Sequence, residues 1–258
     1  MGLFGFGKNK GTQKQVVTPT SQVSTGGIQL NLSKEQSLIQ LDMRKREVAN
    51  VCMGIPALNG VKSRVALVLD YSGSMGKLYR NGTVQAVIER IMPIACQFDD
   101  NQELDLWIFE DGFKRLGGIT MDNFYGYVER EIMKYRMGCT QYSPVMKDVF
   151  NKYINEEPCN VPNYVIFITD GDNSDKRNTT EFMKEASKYP IFWQFVGIGH
   201  DSFNYLEKLD DMNGRYIDNA DFFQLNDIMK VTDNELYNRL LTEYPSWLIQ
   251  AKQKGIIC

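Results

Sequence analysis

A single histidine, His200, stands in this chain of 258 residues. That scarcity argues against Ser-His-Asp triads and against zinc sites built on several imidazoles. The five cysteines, Cys52, Cys96, Cys139, Cys159 and Cys258, show no C-x-x-C spacing. Reduced thiols in a cytoplasmic protein fit them better than a disulfide frame or a zinc site. No stretch approaches the ~20 consecutive apolar residues of a membrane span. No Lys/Arg block interleaved with aromatics is present and the net charge is -3, so composition gives nucleic-acid binding no support.

What the chain does have is a core: 43% hydrophobic and 12% aromatic residues, enough for one large α/β domain. Residues 1–27 are rich in Gly, Ser, Thr and Gln with lysines and no acids, the composition of a disordered tail. Residues 28–60 form an N-terminal extension. Its alternation Ile28-Gln29-Leu30-Asn31-Leu32, then Leu38-Ile39-Gln40-Leu41, predicts short strands ahead of a helix ending near Met53. From residue 61 to 258 strands and helices alternate. Strands are expected at Val65–Leu69, Leu104–Phe109, Tyr164–Thr169 and Ile191–Ile198, with a short one at Arg215–Ile217. Helices are expected at Thr83–Phe98, Asp122–Tyr135, Pro144–Ile154, Thr179–Tyr189 and Ser202–Asp210, with two more after Thr232. Pro93 should kink or limit the first of them. Nearly continuous apolar strands between amphipathic helices imply a mostly parallel central sheet covered on both faces, a Rossmann-like α/β fold.

Ligands of such sheets gather beyond the carboxyl ends of the strands, where Asp70, Glu110, Asp170 and His200 all fall. Asp70-Tyr71-Ser72-Gly73-Ser74 follows the run Val65-Ala66-Leu67-Val68-Leu69, and Val165-Ile166-Phe167-Ile168-Thr169 delivers Asp170 the same way. A hard cation such as Mg²⁺ takes small oxygen ligands and keeps several waters. Asp70, Ser72, Ser74 and Asp170 supply such ligands, and Thr140, in the loop Met137–Pro144, offers a third-element hydroxyl.

Those three segments, DYSGSM at 70–75, GCT at 138–140 and FITDGD at 167–172, resemble the metal-ion-dependent adhesion site (MIDAS) of a von Willebrand factor A domain. The resemblance implies that Asp70, Ser72, Ser74, Thr140 and Asp170 surround Mg²⁺ or Mn²⁺, with Ca²⁺ a lesser candidate. It also implies a coordination position left for an Asp or Glu of a partner protein. Segments 78–101, 104–113, 190–199, 218–227 and 235–248 are similar to the bacterial TerF-type branch, linked to tellurium resistance and stress response. Gly27–Lys45 resembles the opening of a TerD-type stress domain without the rest of it. A non-enzymatic, metal-dependent protein-binding module of the cytoplasm, with other tellurium-resistance proteins among its candidate partners, is the implied function.

Other readings compete. Asp170 and Asp172, with Asp210 and Asp211 as later metal ligands, mimic a haloacid-dehalogenase phosphohydrolase, although that leaves DYSGS unexplained. Asp170–Glu181 mimics an EF-hand loop, but Asp175 stands where the turn glycine belongs. A structural interaction domain whose metal site stays empty in the cell is the third. Asp70, Ser72 and Ser74 taken singly read as cap and turn residues. Gly197-Ile198-Gly199 is a lone GxG without the third glycine of a dinucleotide fingerprint.

Overall fold

A computed structural model describes residues 1, 2, 30 and 32–258. The expected tail, and most of the 28–32 alternation, lie outside those residues. The elements run α1 (Lys34–Met53), β1 (Arg64–Asp70), α2 (Gly76–Arg80), α3 (Thr83–Phe98), β2 (Leu104–Phe109), β3 (Phe113–Ile119), α4 (Ser143–Phe150), β4 (Asn163–Thr169), α5 (Lys176–Ala186), β5 (Ile191–Ile198), α6 (Asn204–Asp210), β6 (Ala220–Leu225), α7 (Asp233–Leu240) and α8 (Tyr244–Gln253). The six strands form one sheet in the order β3-β2-β1-β4-β5-β6, parallel except for β3.

Side chains alternate across each strand and so divide the core in two. Val65, Leu67 and Leu69 of β1 face the layer of α1, α3, α7 and α8, while Ala66 and Val68 face α4, α5 and α6. Burial on both sides is why β1, β4 and β5 read as nearly continuous apolar runs, with Gln194 the one polar residue inside β5. From β1 the chain moves outward through β2 to β3, then returns to lay β4 on the other side of β1. The strand order reverses there, at the carboxyl ends of β1 and β4, the place where ligands of such sheets gather.

Several elements differ from expectation. Leu38–Leu41 lie within α1, not in a strand. The helix is nucleated by a capping box: Ser33 Oγ accepts from the Gln36 amide, and the Gln36 side chain accepts from the Ser33 amide. Asp122–Tyr135 forms only a π-type turn at Val128–Ile132, because Gly126 sits at φ +63° and breaks the helical path. The helix after Ser143 passes into a π-type turn at Asn151–Glu156. Pro93 does not end α3, which continues to Phe98. The strand expected at Arg215–Ile217 forms later, as β6, and β3 and α2 were not expected. Both missed strands are sheet edges, where one side of the ladder is free and polar residues are admitted. Among the described residues no helix is long and apolar enough to cross a membrane.

Candidate functional site

Asp70 is the last residue of β1 and is fully buried between β2 and β4. Its Oδ1 accepts the Ser72 amide at 2.8 Å, closing a turn that folds Ser72 and Ser74 back over the strand end. Its Oδ2 accepts the Thr169 hydroxyl at 2.6 Å. The Tyr79 hydroxyl donates to the Asp70 carbonyl at 2.8 Å. Ser74 Oγ donates to Asp170 Oδ1 at 2.9 Å and lies 3.0 Å from Ser72 Oγ. Two carboxylates and two serine hydroxyls, from loops separated by about a hundred residues of chain, therefore meet in one cluster.

The loop holding Thr140 is stitched between the other two. Gly138 pairs with Ser72 and its carbonyl accepts the Gly73 amide at 3.1 Å. On the far side the Thr140 carbonyl accepts both the amide and the hydroxyl of Ser174 at 3.0 Å. Thr140 is thus placed by its backbone rather than by a side-chain bond to Asp70. A Cβ on Gly138 would come within 2.5 Å of Asp111 Oδ1 and 3.0 Å of Glu110 Cβ, so glycine lets the loop pass this close to the end of β2.

The electrostatics are unbalanced. Burial pushes the Asp70 carboxyl up to about 6, and the groups that pull it back are hydroxyls and an amide, not a Lys or Arg. Burial likewise raises Asp170, with Asp201 adding like charge. A fully buried carboxylate beside a half-buried one, with no countercharge on them among the described residues and with serine hydroxyls between them, matches what a hard divalent cation requires. The residues present fit such an ion.

Neighbouring acids do other work. Glu110 accepts the Gly112 amide at 2.9 Å and turns β2 into β3, while its carbonyl holds the Gln141 amide at 2.9 Å. Asp172 pairs with Lys176 at 2.6 Å. Asp175, which stands at the glycine position of the EF-hand-like segment, accepts the Tyr142 and Ser143 amides at 2.9 and 2.8 Å and caps α4 from a different loop. Glu181 pairs with Arg177, so the EF-hand arrangement is not formed. Nor is the phosphohydrolase arrangement: Asp210 meets Asp221 and Glu243, while Asp170 meets Ser74. His200 is an exposed rim residue. Gly197 serves packing, since a Cβ there would sit 2.8 Å from the Phe203 ring.

Sequence reasoning missed Thr169 and Tyr142. Thr169 is the sole polar residue among the last five of β4, directly before Asp170, and that placement was the available signal. Tyr142 OH donates to the Gly171 carbonyl and fixes the third loop; nothing in the sequence separates it from the other tyrosines. Burial alone would raise the Asp175 carboxyl, but hydrogen bonds from Ser143, Tyr142 and Asn173 outweigh burial and hold it below the usual range. Its contribution is therefore present at neutral pH and is lost as pH falls through the depressed native value. Asp175→Ala should cost about 1–2 kcal/mol in urea denaturation at neutral pH, and less in acid.

A sequence model of the vWA-TerF-like family, described as the vWA found in the TerF C terminus, matches residues 62–257. Among known proteins the chain is 45% identical over 221 residues to the "Uncharacterized protein YcbR" of Bacillus subtilis (strain 168), covering 84% of this chain and 90% of that one. The solved SpRpn10 VWA domain superposes with a TM-score of 0.52 at 11% identity, over 69% of this chain and 95% of that one. The zinc-occupied MIDAS form of proximal thread matrix protein 1 from the mussel byssus gives a TM-score of 0.45 at 15% identity, over 74% of this chain. The chain spans 46% of that protein's length and 44% of the ArnB paralog VWA2 from Sulfolobus acidocaldarius (TM-score 0.45, 15% identity, 69% of this chain).

Proposed function

The chain belongs to the vWA-TerF-like family, and we propose that it is a metal-dependent protein-binding module of a cytoplasmic tellurite-resistance or stress-response system, not an enzyme. The observation that carries the reading is Asp70: a fully buried carboxylate, without a basic partner among the described residues, with the side-chain oxygens of Ser72, Ser74 and Asp170 gathered at the same strand end.

In this reading Asp70, Ser72 and Ser74 hold Mg²⁺ or Mn²⁺, with Asp170 and Thr140 from the other two loops. Bound there, the ion supplies an electrophilic position for an Asp or Glu of the partner. Few carboxylates and several neutral hydroxyls leave the ion's charge incompletely cancelled, which favours an incoming carboxylate. The chain's own part is to pre-set the donors. Thr169 fixes one Asp70 oxygen and the Ser72 amide the other, so the carboxylate cannot rotate away.

The test is affinity capture from a native lysate in Mg²⁺ against chelator, with wild type and Asp70→Asn. Capture that depends on both metal and Asp70 supports the reading; equal capture in chelator overturns it. Thr169→Val keeps the shape and removes the hydroxyl that orients Asp70. A ~10–100-fold weaker Mg²⁺ affinity is expected by titration calorimetry, the scale for removing a group that orients a ligand.

A further inference from the structure

A cavity of about 470 Å³ lies between α2, α3, the segment 125–133 and the chain's early residues Leu30 and Leu32. None of Asp70, Ser72, Ser74, Thr140 and Asp170 lines it, so it is separate from the metal-site cluster. The volume is that of a small-molecule site. Two aromatic walls are held in place by hydrogen bonds. Tyr79 donates its hydroxyl to the Asp70 carbonyl at 2.8 Å and meets the Tyr71 ring edge-on at 4.9 Å between centroids. Tyr125 donates its hydroxyl to the Leu32 carbonyl at 3.1 Å.

One acid is built into the wall. Glu89 of α3 lines the cavity although only 8% of its surface is accessible. Its Oε1 accepts Gln85 Nε2 at 3.0 Å, and its Oε2 accepts from no donor among the described residues. Gln85 has nothing further to offer: its Nε2 also donates to the Phe124 carbonyl at 2.9 Å and its Oε1 accepts the Val128 amide at 3.0 Å. A carboxylate oxygen left so deep in the protein calls for a donor from outside the wall.

The nearby bases are engaged elsewhere. Arg44 pairs with Asp233 at 3.0 Å and reaches the Glu89 carbonyl, not its carboxylate. Arg90 is committed to the same aspartate at 2.6 Å. Arg80 also lines the cavity, but its guanidinium folds back over the start of α2: a Cβ on Gly76 would come within 3.1 Å of its Nη1. At the exposed rim Glu129 adds a second acid, without an ion-pair partner among the described residues.

We propose that this cavity binds a small organic cation, an ammonium or guanidinium group on a compact apolar body. Glu89 takes the charged head through a charge-assisted hydrogen bond, and the Tyr79 and Tyr125 rings, with Leu32 and Val128, enclose the body. The lining selects this class. An anion would face Glu89, and a neutral apolar molecule would leave that carboxylate buried and unpaired. A bare divalent metal needs six or more oxygen ligands, which apolar walls do not supply.

The test uses the full chain, with phenethylamine and its neutral counterpart phenethyl alcohol as probes in titration calorimetry, each run in Mg²⁺ and in chelator. Wild type should bind the amine about 10–100-fold more tightly than the alcohol, the scale of a hydrogen bond to a charged group. Glu89→Gln, which keeps an acceptor for Gln85, should lose that preference and bind the two alike. Met133→Trp fills the cavity from a residue exposed at its rim, and should abolish binding of both; it also serves if Glu89→Gln does not fold. Mg²⁺ should leave the amine affinity unchanged, because the cation does not sit on the Asp70 cluster. Equal affinity of wild type for amine and alcohol, a preference that survives in folded Glu89→Gln, unchanged binding by Met133→Trp, or displacement of the amine by Mg²⁺ would each overturn the proposal.

Discussion

Replacing Asp70 with Asn is expected to abolish Mg²⁺ binding while leaving the metal-free protein as stable as wild type or more so. The two effects share one cause. Asp70 is fully buried and its native carboxyl is raised to about 6, so at neutral pH the ionised form costs the folded state. The sign is that of a raised acid: the fold is favoured below the unfolded value and loses that advantage as pH rises through about 6. The shift corresponds to roughly 3 kcal/mol as an upper figure. Asparagine keeps an acceptor for the Ser72 amide and turns its NH₂ toward Thr169, whose hydroxyl can donate to the Gly171 carbonyl at 3.1 Å instead. The metal-free Tm of Asp70→Asn should thus rise by a few degrees, at about 2–4 °C per kcal/mol for a domain of this size. The Mg²⁺-induced rise seen in wild type should vanish. Thermal denaturation with Mg²⁺ and with chelator reads both. A variant that still gains stability from Mg²⁺ as wild type does would remove Asp70 from the proposed metal site. A variant that is much less stable without metal would show instead that the carboxylate is structural.

The largest loss of stability is expected at Asp233. Arg90 of α3 is fully buried and Arg44 of α1 nearly so, and both lean on this one carboxylate, at 2.6 and 3.0 Å. Arg90 also donates to the carbonyls of Ile228 and Val231, at 2.6 and 2.8 Å, so α1, α3 and the start of α7 are joined through a single charge cluster. Burial pulls the Arg90 pKa down, and Asp233 opposes that pull. Taking two guanidiniums out of water is tolerable only while they are paired. Removing one partner of a buried pair costs about 3–5 kcal/mol because the remaining charge is stranded. Asp233→Ala should therefore lower the Tm by roughly 6–20 °C and shift the urea midpoint down with little change in slope. Thr232→Ala is the control: it removes only the α7 cap, whose hydroxyl accepts the Glu235 amide at 3.2 Å, and should cost about 1 kcal/mol. Equal losses in the two variants would show that Asp233 acts merely through the opening turn of α7.

The parts of this molecule legible from sequence are those governed by local chemistry and short periods. The apolar runs at β1, β2, β4 and β5 announce strands buried on both faces, and the aspartates that end β1 and follow β4 announce polar groups at one rim. The resemblance of three loops to a MIDAS motif followed from residue types at fixed spacing, and the vWA fold is borne out by family and by topology. Alternation over Leu38–Leu41 misled because four residues fit either period, and the capping box at Ser33–Gln36 was the better signal.

Tertiary structure decided the rest, because it depends on which distant segments share an edge. That Thr169 clamps Asp70, that Asp175 caps α4, and that two arginines converge on Asp233 are contacts across roughly 30 to 190 residues of chain. No period or spacing encodes them. The gathering of Asp210, Asp221 and Glu243 is the same kind of fact. The sequence by itself determined that carboxylates and hydroxyls would stand at strand ends, since side-chain alternation and strand length are local. Only the packed sheet determined which carboxylates were buried without a countercharge, because desolvation is a property of everything that surrounds a group.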